Sequence, residues 1–314
     1  MNKCLYCYQP LLQTEHDFHV KCAKKIFNQA LPPEISFDET DLGKLAKTYI
    51  QSQGAITGVQ PKLSLDIVNE RDKNQPARFT IVGLWGNYIL KPPTNQYKQL
   101  PEVEDLTMHL AEIAKIKTVP HTLIKLKSGN LAYITKRIDR NGKGKKFHME
   151  DFCQLTEKQT EDKYRGSYEQ IAKTITKYSA NPGLDLVNFW EVIIFSFITG
   201  NADMHLKNFS IINSPKTGYS LTPAYDLVAT TLVNPADNEE LALNLNGKKS
   251  KLKKIDFEAA FNNSKLEAKQ QSNIFNKFKK AKKEWIELIE KSFLDEDFKE
   301  KYKKLISERL TRLS

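Results

Sequence analysis

The residues best suited to chemistry lie in one short run, Gly200-Asn201-Ala202-Asp203-Met204-His205-Leu206-Lys207-Asn208. Asp203 and Asn208 stand five positions apart, the D-x-x-x-x-N spacing of a phosphoryl-transfer loop. In such a loop the aspartate accepts the proton of an attacking hydroxyl and the asparagine carbonyl holds a divalent cation. A further carboxylate, Asp226, follows in Leu221-Thr222-Pro223-Ala224-Tyr225-Asp226. Asn208 and Asp226 are therefore candidate magnesium ligands, because a cation must neutralise the charge spread over a transferring phosphoryl group. His205 and Lys207, inside the loop, are candidate catalytic residues that either shape it or touch phosphate. Asp and Asn are also common turn formers, and simple capping is the plain alternative; their order after an apolar helix favours chemistry.

Matching parts stand upstream. Gln53 to Lys62 (QGAITGVQPK) is a glycine-containing loop ahead of a strand. The backbone at Thr57, Gly58 and Val59 could cradle phosphates, with Lys62 adding positive charge. Lys91 ends the strand-like Tyr88-Ile89-Leu90, where a lysine can reach α- and β-phosphates. Glu104, on the helix that follows, is its candidate partner, and Glu102 competes for that role. A solvated lysine and a glutamate at a helix N-terminus are the ordinary explanations. At the far N-terminus, Cys4-Leu5-Tyr6-Cys7 and His19-Val20-Lys21-Cys22 offer three thiolates and an imidazole, a set that suits structural zinc. The competing reading is a small unit with reduced cysteines and a surface histidine.

The elements that must position these groups are legible from periodicity. Leu63, Leu65 and Ile67 alternate with polar residues, as do parts of 79–82 and 88–90, with Trp85-Gly86-Asn87 turning between the last two. A helix is predicted over 102–115, with Val103, Leu106, Leu110 and Ala114 on one face. Strand-like runs at 121–126 and 131–134 complete a mostly antiparallel sheet with one helix inserted. Beyond the turn-rich DRNGKGKK (139–146) the patterns are helical: 168–179, then 186–199, which is apolar on nearly every side. Short strands are expected at 209–212 and 219–221, and amphipathic helix from Ile255 almost to the end. The division expected is an N-terminal cysteine-containing segment (1–50), a β-rich lobe (51–137) and a helical lobe (138–314).

At 314 residues the chain is long enough for two lobes at about 150 residues per domain. Its 27% charged and 40% hydrophobic composition excludes global disorder, and 13 Gly with 13 Pro excludes collagen-like and low-complexity classes. The richest apolar stretch, 189–199, is short for a membrane span, and MNKCLYCYQP is not of signal-peptide type, so a cytoplasmic location is expected. The net charge of +10 sits largely in KKSKLKK (248–254) and KFKKAKK (277–283). Neither run carries aromatics spaced for base stacking, and a solvated helix face accounts for such runs more often than nucleic acid does.

Together these residues resemble the HipA-like serine/threonine kinase toxins of bacterial toxin–antitoxin systems. The matching blocks are TGVQPKLSL, YILKPP, PEVEDLTMHLA, LAYITKRIDR, HMEDFCQL, TEDKYRGSYEQI, FSFITGNADMHLKNFSI and LTPAYDL, spanning about residues 50 to 230. The resemblance implies an α+β, two-lobed protein-kinase-like fold, ATP with Mg2+, and transfer to a protein hydroxyl. It makes Asp203 the catalytic aspartate, Asn208 and Asp226 the Mg2+ ligands, Lys91 the ATP-phosphate lysine, and Ile134 to Arg137, with Lys136, the hinge beside adenine. The family's glycine loop often carries serines that the kinase phosphorylates on itself. Here that stretch reads Ala55-Ile56-Thr57, leaving Thr57 as the autophosphorylation candidate.

With about 50 residues ahead of the glycine loop, the chain looks like the short HipT type. That type implies a small HipS-like antitoxin, a HipB-like DNA-binding protein that makes any DNA contact indirect, and an aminoacyl-tRNA synthetase as substrate, the tryptophanyl enzyme favoured. Two other readings are open: a lipid or small-molecule kinase, and a nucleotide-binding or DNA-associated regulatory module without phosphate transfer. No membrane-docking segment stands out for the former, and a pure binder has no need of a base at Asp203.

Overall fold

Alternation of large apolar and polar residues produces strands where a sheet can bury one face. The computed structural model describes residues 2–45, 62–69, 75–82, 85–140 and 146–314. Thr57, Gly58 and Val59 of the glycine loop lie outside the described residues. Two compact units are seen: Met1–Asp105 with Val119–Lys145 and Lys291–Phe293, and Leu106–Thr118 with Lys146–Glu290 and Leu294–Ser314.

The first unit contains helix α1 (Val20–Phe27) and strands β1 (Leu63–Val68), β2 (Arg78–Ile81), β3 (Tyr88–Lys91), β4 (His121–Lys125) and β5 (Leu131–Lys136). The strands form one antiparallel sheet in the order β2-β1-β3-β5-β4. β1 thus separates β2 from β3, so Trp85–Asn87 does not close a hairpin between them. The cause is visible at Gly86, whose amide donates to Ser64 Oγ at 3.1 Å. A Cβ there would lie 2.4 Å from the Leu65 carbonyl oxygen, so only glycine lets this segment press against the β1 backbone. The core of the unit sets Leu63, Leu65, Phe79, Tyr88, Leu90, Leu123 and Ile134 of the sheet against Cys22, Ala23, Ile26 and Phe27 of α1. Burying each such large side chain contributes about 1.5–3 kcal/mol.

Helix α2 (Leu100–Ile113) begins two residues earlier than the pattern predicts; its residues to Asp105 belong to the first unit and the rest to the second. The second unit is built around helix α4 (Pro182–Thr199), preceded by strand β6 (Met149–Asp151) and helix α3 (Tyr168–Tyr178). Strands β7 (Ser210–Ser214) and β8 (Gly218–Leu221) follow, then helices α5 (Lys254–Asn263), α6 (Ala268–Lys291) and α7 (Glu296–Arg312). β6, β7 and β8 form an antiparallel sheet in that order, so the predominantly helical part carries a sheet of its own. The strand β6 escapes sequence reading because three residues, Met-Glu-Asp, cannot display a period.

α4 extends the apolar run back to Pro182, a residue tolerated at a helix start because no amide hydrogen is missed there. Its 18 residues have a mean hydropathy of 1.3, enough in length and composition to cross a membrane, yet 67% of the helix is buried inside the protein. Phe195 meets Trp285 edge-on at 5.8 Å and Phe197 meets Phe257 at 5.2 Å, which explains an apolar surface all round. The late basic runs are partly neutralised: Lys248 pairs with Asp256 at 2.7 Å, Lys249 with Glu239 at 3.1 Å, and Lys277 with Glu191.

Candidate active site

In the first unit, the β3–β5 register sets Lys91 opposite Tyr133. The Lys91 ammonium stands 5.3 Å from the centre of the Tyr133 ring and forms an ion pair with Glu104. Lys91 is 4% exposed and Glu104 1%, so neither charge is tolerable without compensation. Glu102 is the half-buried neighbour, and burial, with Asp105 adding to it, pushes its carboxyl up to about 7. Of the two candidate glutamates, the structure therefore joins Glu104 to Lys91. Lys62 is exposed, immediately ahead of β1. Ile134 is buried within β5, and the Lys136 amide near its end donates to the Pro120 carbonyl at 2.8 Å.

In the second unit, the loop from Asn201 to Asn208 leaves α4 through Gly200, which has φ 71°. A Cβ at Gly200 would meet Leu305 at 2.7 Å and Thr231 at 3.1 Å, so glycine satisfies both the left-handed backbone and the close approach. Thr231 and Thr230 donate to the Gly200 carbonyl at 3.0 and 3.3 Å, and the Ala202 amide donates to Thr230 Oγ1 at 2.8 Å. The loop thus leaves a rigid helix by an anchored turn.

Asp203 and Asn208 then close on each other: Asn208 Nδ2 donates to the Asp203 carbonyl at 2.8 Å. That bond commits the amide nitrogen and leaves Oδ1 as the acceptor end of the side chain. On the carboxylate of Asp203, the Tyr164 hydroxyl donates at 2.6 Å. His205 packs edge-on against Tyr164 at 5.0 Å, and burial lowers its imidazole to about 4, against the opposing pull of Asp203 and Asp226. At neutral pH it is an uncharged ring. Its buried Nδ1 has no hydrogen-bond partner among the described residues. Lys207 pairs with Asp151 at 2.9 Å, which anchors the loop to the end of β6.

Asp226 follows Tyr225, whose hydroxyl contacts Ser210 at 2.6 Å and the Lys207 carbonyl at 3.2 Å. Asp226 has φ 56°, a left-handed backbone costing a non-glycine residue about 1–3 kcal/mol and found preferentially where function requires it. Both Asp203 and Asp226 act electrostatically on His205, so the two carboxylates face one neighbourhood. The Asn208 Oδ1 and Asp226 carboxylate are hard oxygen donors that suit a magnesium ion. Chemically, the loop offers a carboxylate already accepting an O–H hydrogen bond, and Asn208 and Asp226 each offer an oxygen donor of the kind a hard cation takes.

Two participants were not singled out from sequence, Tyr164 and Asp151, whereas Tyr225 stands beside Asp226 in the LTPAYDL block. Tyr164 and Asp151 lie far from the loop in sequence, and no local period marks them. Cys4, Cys7, His19 and Cys22 are also brought together, their ligand atoms all within 4.8 Å of one another.

A Haemophilus influenzae protein named "Putative kinase" is 30% identical over 251 residues, covering 74% of this chain and 69% of its own length. The serine/threonine-protein kinase toxin HipA of Shewanella oneidensis is 25% identical over 197 residues, 57% of this chain and 43% of that protein. The chain thus spans under half the length of that relative. A solved structure of HipA from Shewanella oneidensis, in a complex with HipB and operator DNA, matches with a TM-score of 0.68 at 22% identity, covering 96% of this chain and 73% of that one. The fold is accordingly the mixed α/β, protein-kinase-like fold. With one family model matching residues 54–285, from the glycine loop to the buried Trp285, the chain belongs to the HipA-like C-terminal domain family.

Proposed function

We propose that the protein is an ATP- and Mg2+-dependent serine/threonine protein kinase and the toxin of a bacterial toxin–antitoxin system. The observation that carries this reading is the Asp203 carboxylate, which accepts a hydroxyl hydrogen bond from Tyr164 while Asn208 braces its backbone. Asp203 is then the base for a serine or threonine hydroxyl, and Tyr164 stands where such a hydroxyl would approach. Lys91, held by Glu104, orients the α- and β-phosphates. Asn208 and Asp226 hold magnesium, which when bound offsets the charge of the transferring group. A neutral His205 keeps a positive charge from competing for Asp203. Lys207, engaged by Asp151, holds the loop.

Within this reading the chain is of the short HipT type, its substrate an aminoacyl-tRNA synthetase, with the tryptophanyl enzyme favoured. A small HipS-like protein neutralises it, and DNA contact runs through a HipB-like partner, in line with the HipA–HipB–operator assembly of the structural relative. Thr57 is the residue for self-phosphorylation, and adenine lies along Ile134 and Lys136. The test is mass spectrometry of the protein, alone and with a bacterial lysate, after incubation with ATP and Mg2+. Phosphate added by the wild type and absent with Asp203→Ala and Asp226→Ala supports the reading. Silence in both settings, with ATP binding intact, would replace it with a nucleotide-binding module.

A further inference from the structure

The N-terminal segment carries chemistry that phosphoryl transfer does not use. Cys4 and Cys22 are buried and Cys7 and His19 half-buried, and their sulfur and nitrogen atoms share one small volume. His19 Nδ1 lies 3.3 Å from Cys7 Sγ and 3.9 Å from Cys22 Sγ. A tetrahedral ion with Zn–S near 2.3 Å and Zn–N near 2.0 Å requires S···N edges of roughly 3.5 Å. The observed edges lie within a few tenths of an ångström of that value.

Three features show a built site rather than a chance gathering. The Cys4–Cys7 turn is a closed knuckle, in which the Cys4 amide donates to Gln9 O at 2.9 Å and the Tyr8 amide to Cys4 O at 2.9 Å. Tyr8, directly after the second cysteine, has φ 60°, the reversal that brings both thiols to one side. His19 Nε2 contacts the Pro10 carbonyl at 3.1 Å. A carbonyl only accepts, so Nε2 donates this bond, the outer hydrogen bond typical of a metal-bound histidine, and Nδ1 is the ring nitrogen that faces the two sulfurs.

We propose that Cys4, Cys7, His19 and Cys22 bind one structural zinc ion in a closed tetrahedron of three sulfurs and one nitrogen that ties the Cys4–Cys7 turn to the start of α1, the helix packed on the sheet of its own unit. Four protein ligands leave no open position, which makes the ion structural rather than catalytic. The attachment reaches the phosphate-binding lysine by short steps. Leu5 O accepts from Thr122 on β4 at 3.2 Å, and the Tyr8 hydroxyl donates to Asp105 at 2.7 Å. Asp105 also meets the buried His121 at 2.7 Å and is the residue after Glu104, the partner of Lys91.

The test reads metal and needs no nucleotide, so its failure leaves the kinase reading untouched. The full chain, produced in zinc-supplemented medium and purified without chelator, is analysed by elemental mass spectrometry. About one zinc per chain is expected. Cys22→Ser should lower the affinity by more than the roughly 10–100-fold typical of an outer-shell change, whereas Cys153→Ser, away from the cluster, keeps full occupancy. Because Cys22→Ser could fail to fold, wild-type protein exchanged with Co2+ gives a second readout: intense tetrahedral d–d bands with thiolate charge transfer. Metal-free wild-type chain, a disulfide among Cys4, Cys7 and Cys22, or an octahedral cobalt spectrum would overturn the proposal.

Discussion

The two lysine–carboxylate pairs singled out for chemistry share their charges and differ in burial. In the first unit, the Lys91 and Glu104 side chains are 5% and 2% exposed; in the second, those of Lys207 and Asp151 are 35% and 16% exposed. Water screens the second pair, so its attraction amounts to about 0–1 kcal/mol and is readily exchanged for hydration. The first pair has surrendered its water, and each charge is offset by the other where strand β3 meets helix α2. An apolar pair would serve the fold as well there. What the buried pair retains is an ammonium fixed in direction, the property needed to orient a phosphate. The half-exposed pair tethers the Asn201–Asn208 loop to the end of β6.

The largest test of that contrast is Glu104→Ala, which leaves the Lys91 ammonium buried without that carboxylate. It should cost about 3–5 kcal/mol in chemical denaturation. A double replacement, Lys91→Met with Glu104→Leu, should recover most of that loss while abolishing phosphoryl transfer; if transfer survives, Lys91 does not orient phosphate. Next comes His205, whose folded value of about 4 lies below its ordinary 6.5. Between those limits the unfolded chain takes up a proton that the folded ring declines, so stability falls as pH drops from 6.5 to 4. The loss should reach about 3 kcal/mol, and urea midpoints against pH would show it vanish in His205→Gln.

Glu102 tests the same α2 turn with the opposite sign. Its carboxyl sits near 7 in the folded chain against 4.5 ordinarily. From pH 4.5 to 7 the folded chain holds a proton the unfolded chain has released, and stability falls as pH rises. Glu102→Gln should therefore stabilise the protein at pH 8 by about 1–3 kcal/mol and flatten that slope; a destabilised variant would refute the assignment. The smallest effect is Lys207→Ala, expected to change stability by less than about 1 kcal/mol while lowering transfer rate through a looser loop. An equal loss in both quantities would make the tether structural only.

Much of this was legible in the sequence. The spacing of Asp203 and Asn208, the alternation of β1, β3 and β5, and the apolar run ending at Gly200 are local patterns, and backbone geometry converts each into a placement without help from the rest of the chain. The CxxC and HxxC turns are local in the same way. The partners of those residues were not local. Glu104 was the candidate and Glu102 its competitor until the helix phase in α2 set the first against Lys91 and left the second half-buried. The separation of β2 from β3 depended on Gly86 pressing against β1, and β6 existed only because β7 offered it a partner. Tyr164 reaches Asp203 across 39 positions and Asp151 reaches Lys207 across 56, distances over which sequence carries no period.

The sequence by itself thus determined which residues could act and which short elements would carry them, because steric limits and hydrophobic periodicity operate within a few residues. Only the tertiary structure decided which charges lost their water. Desolvation is a property of packing: it buried the Lys91–Glu104 pair, left the Lys207–Asp151 pair partly in water, and held His205 neutral beside Asp203.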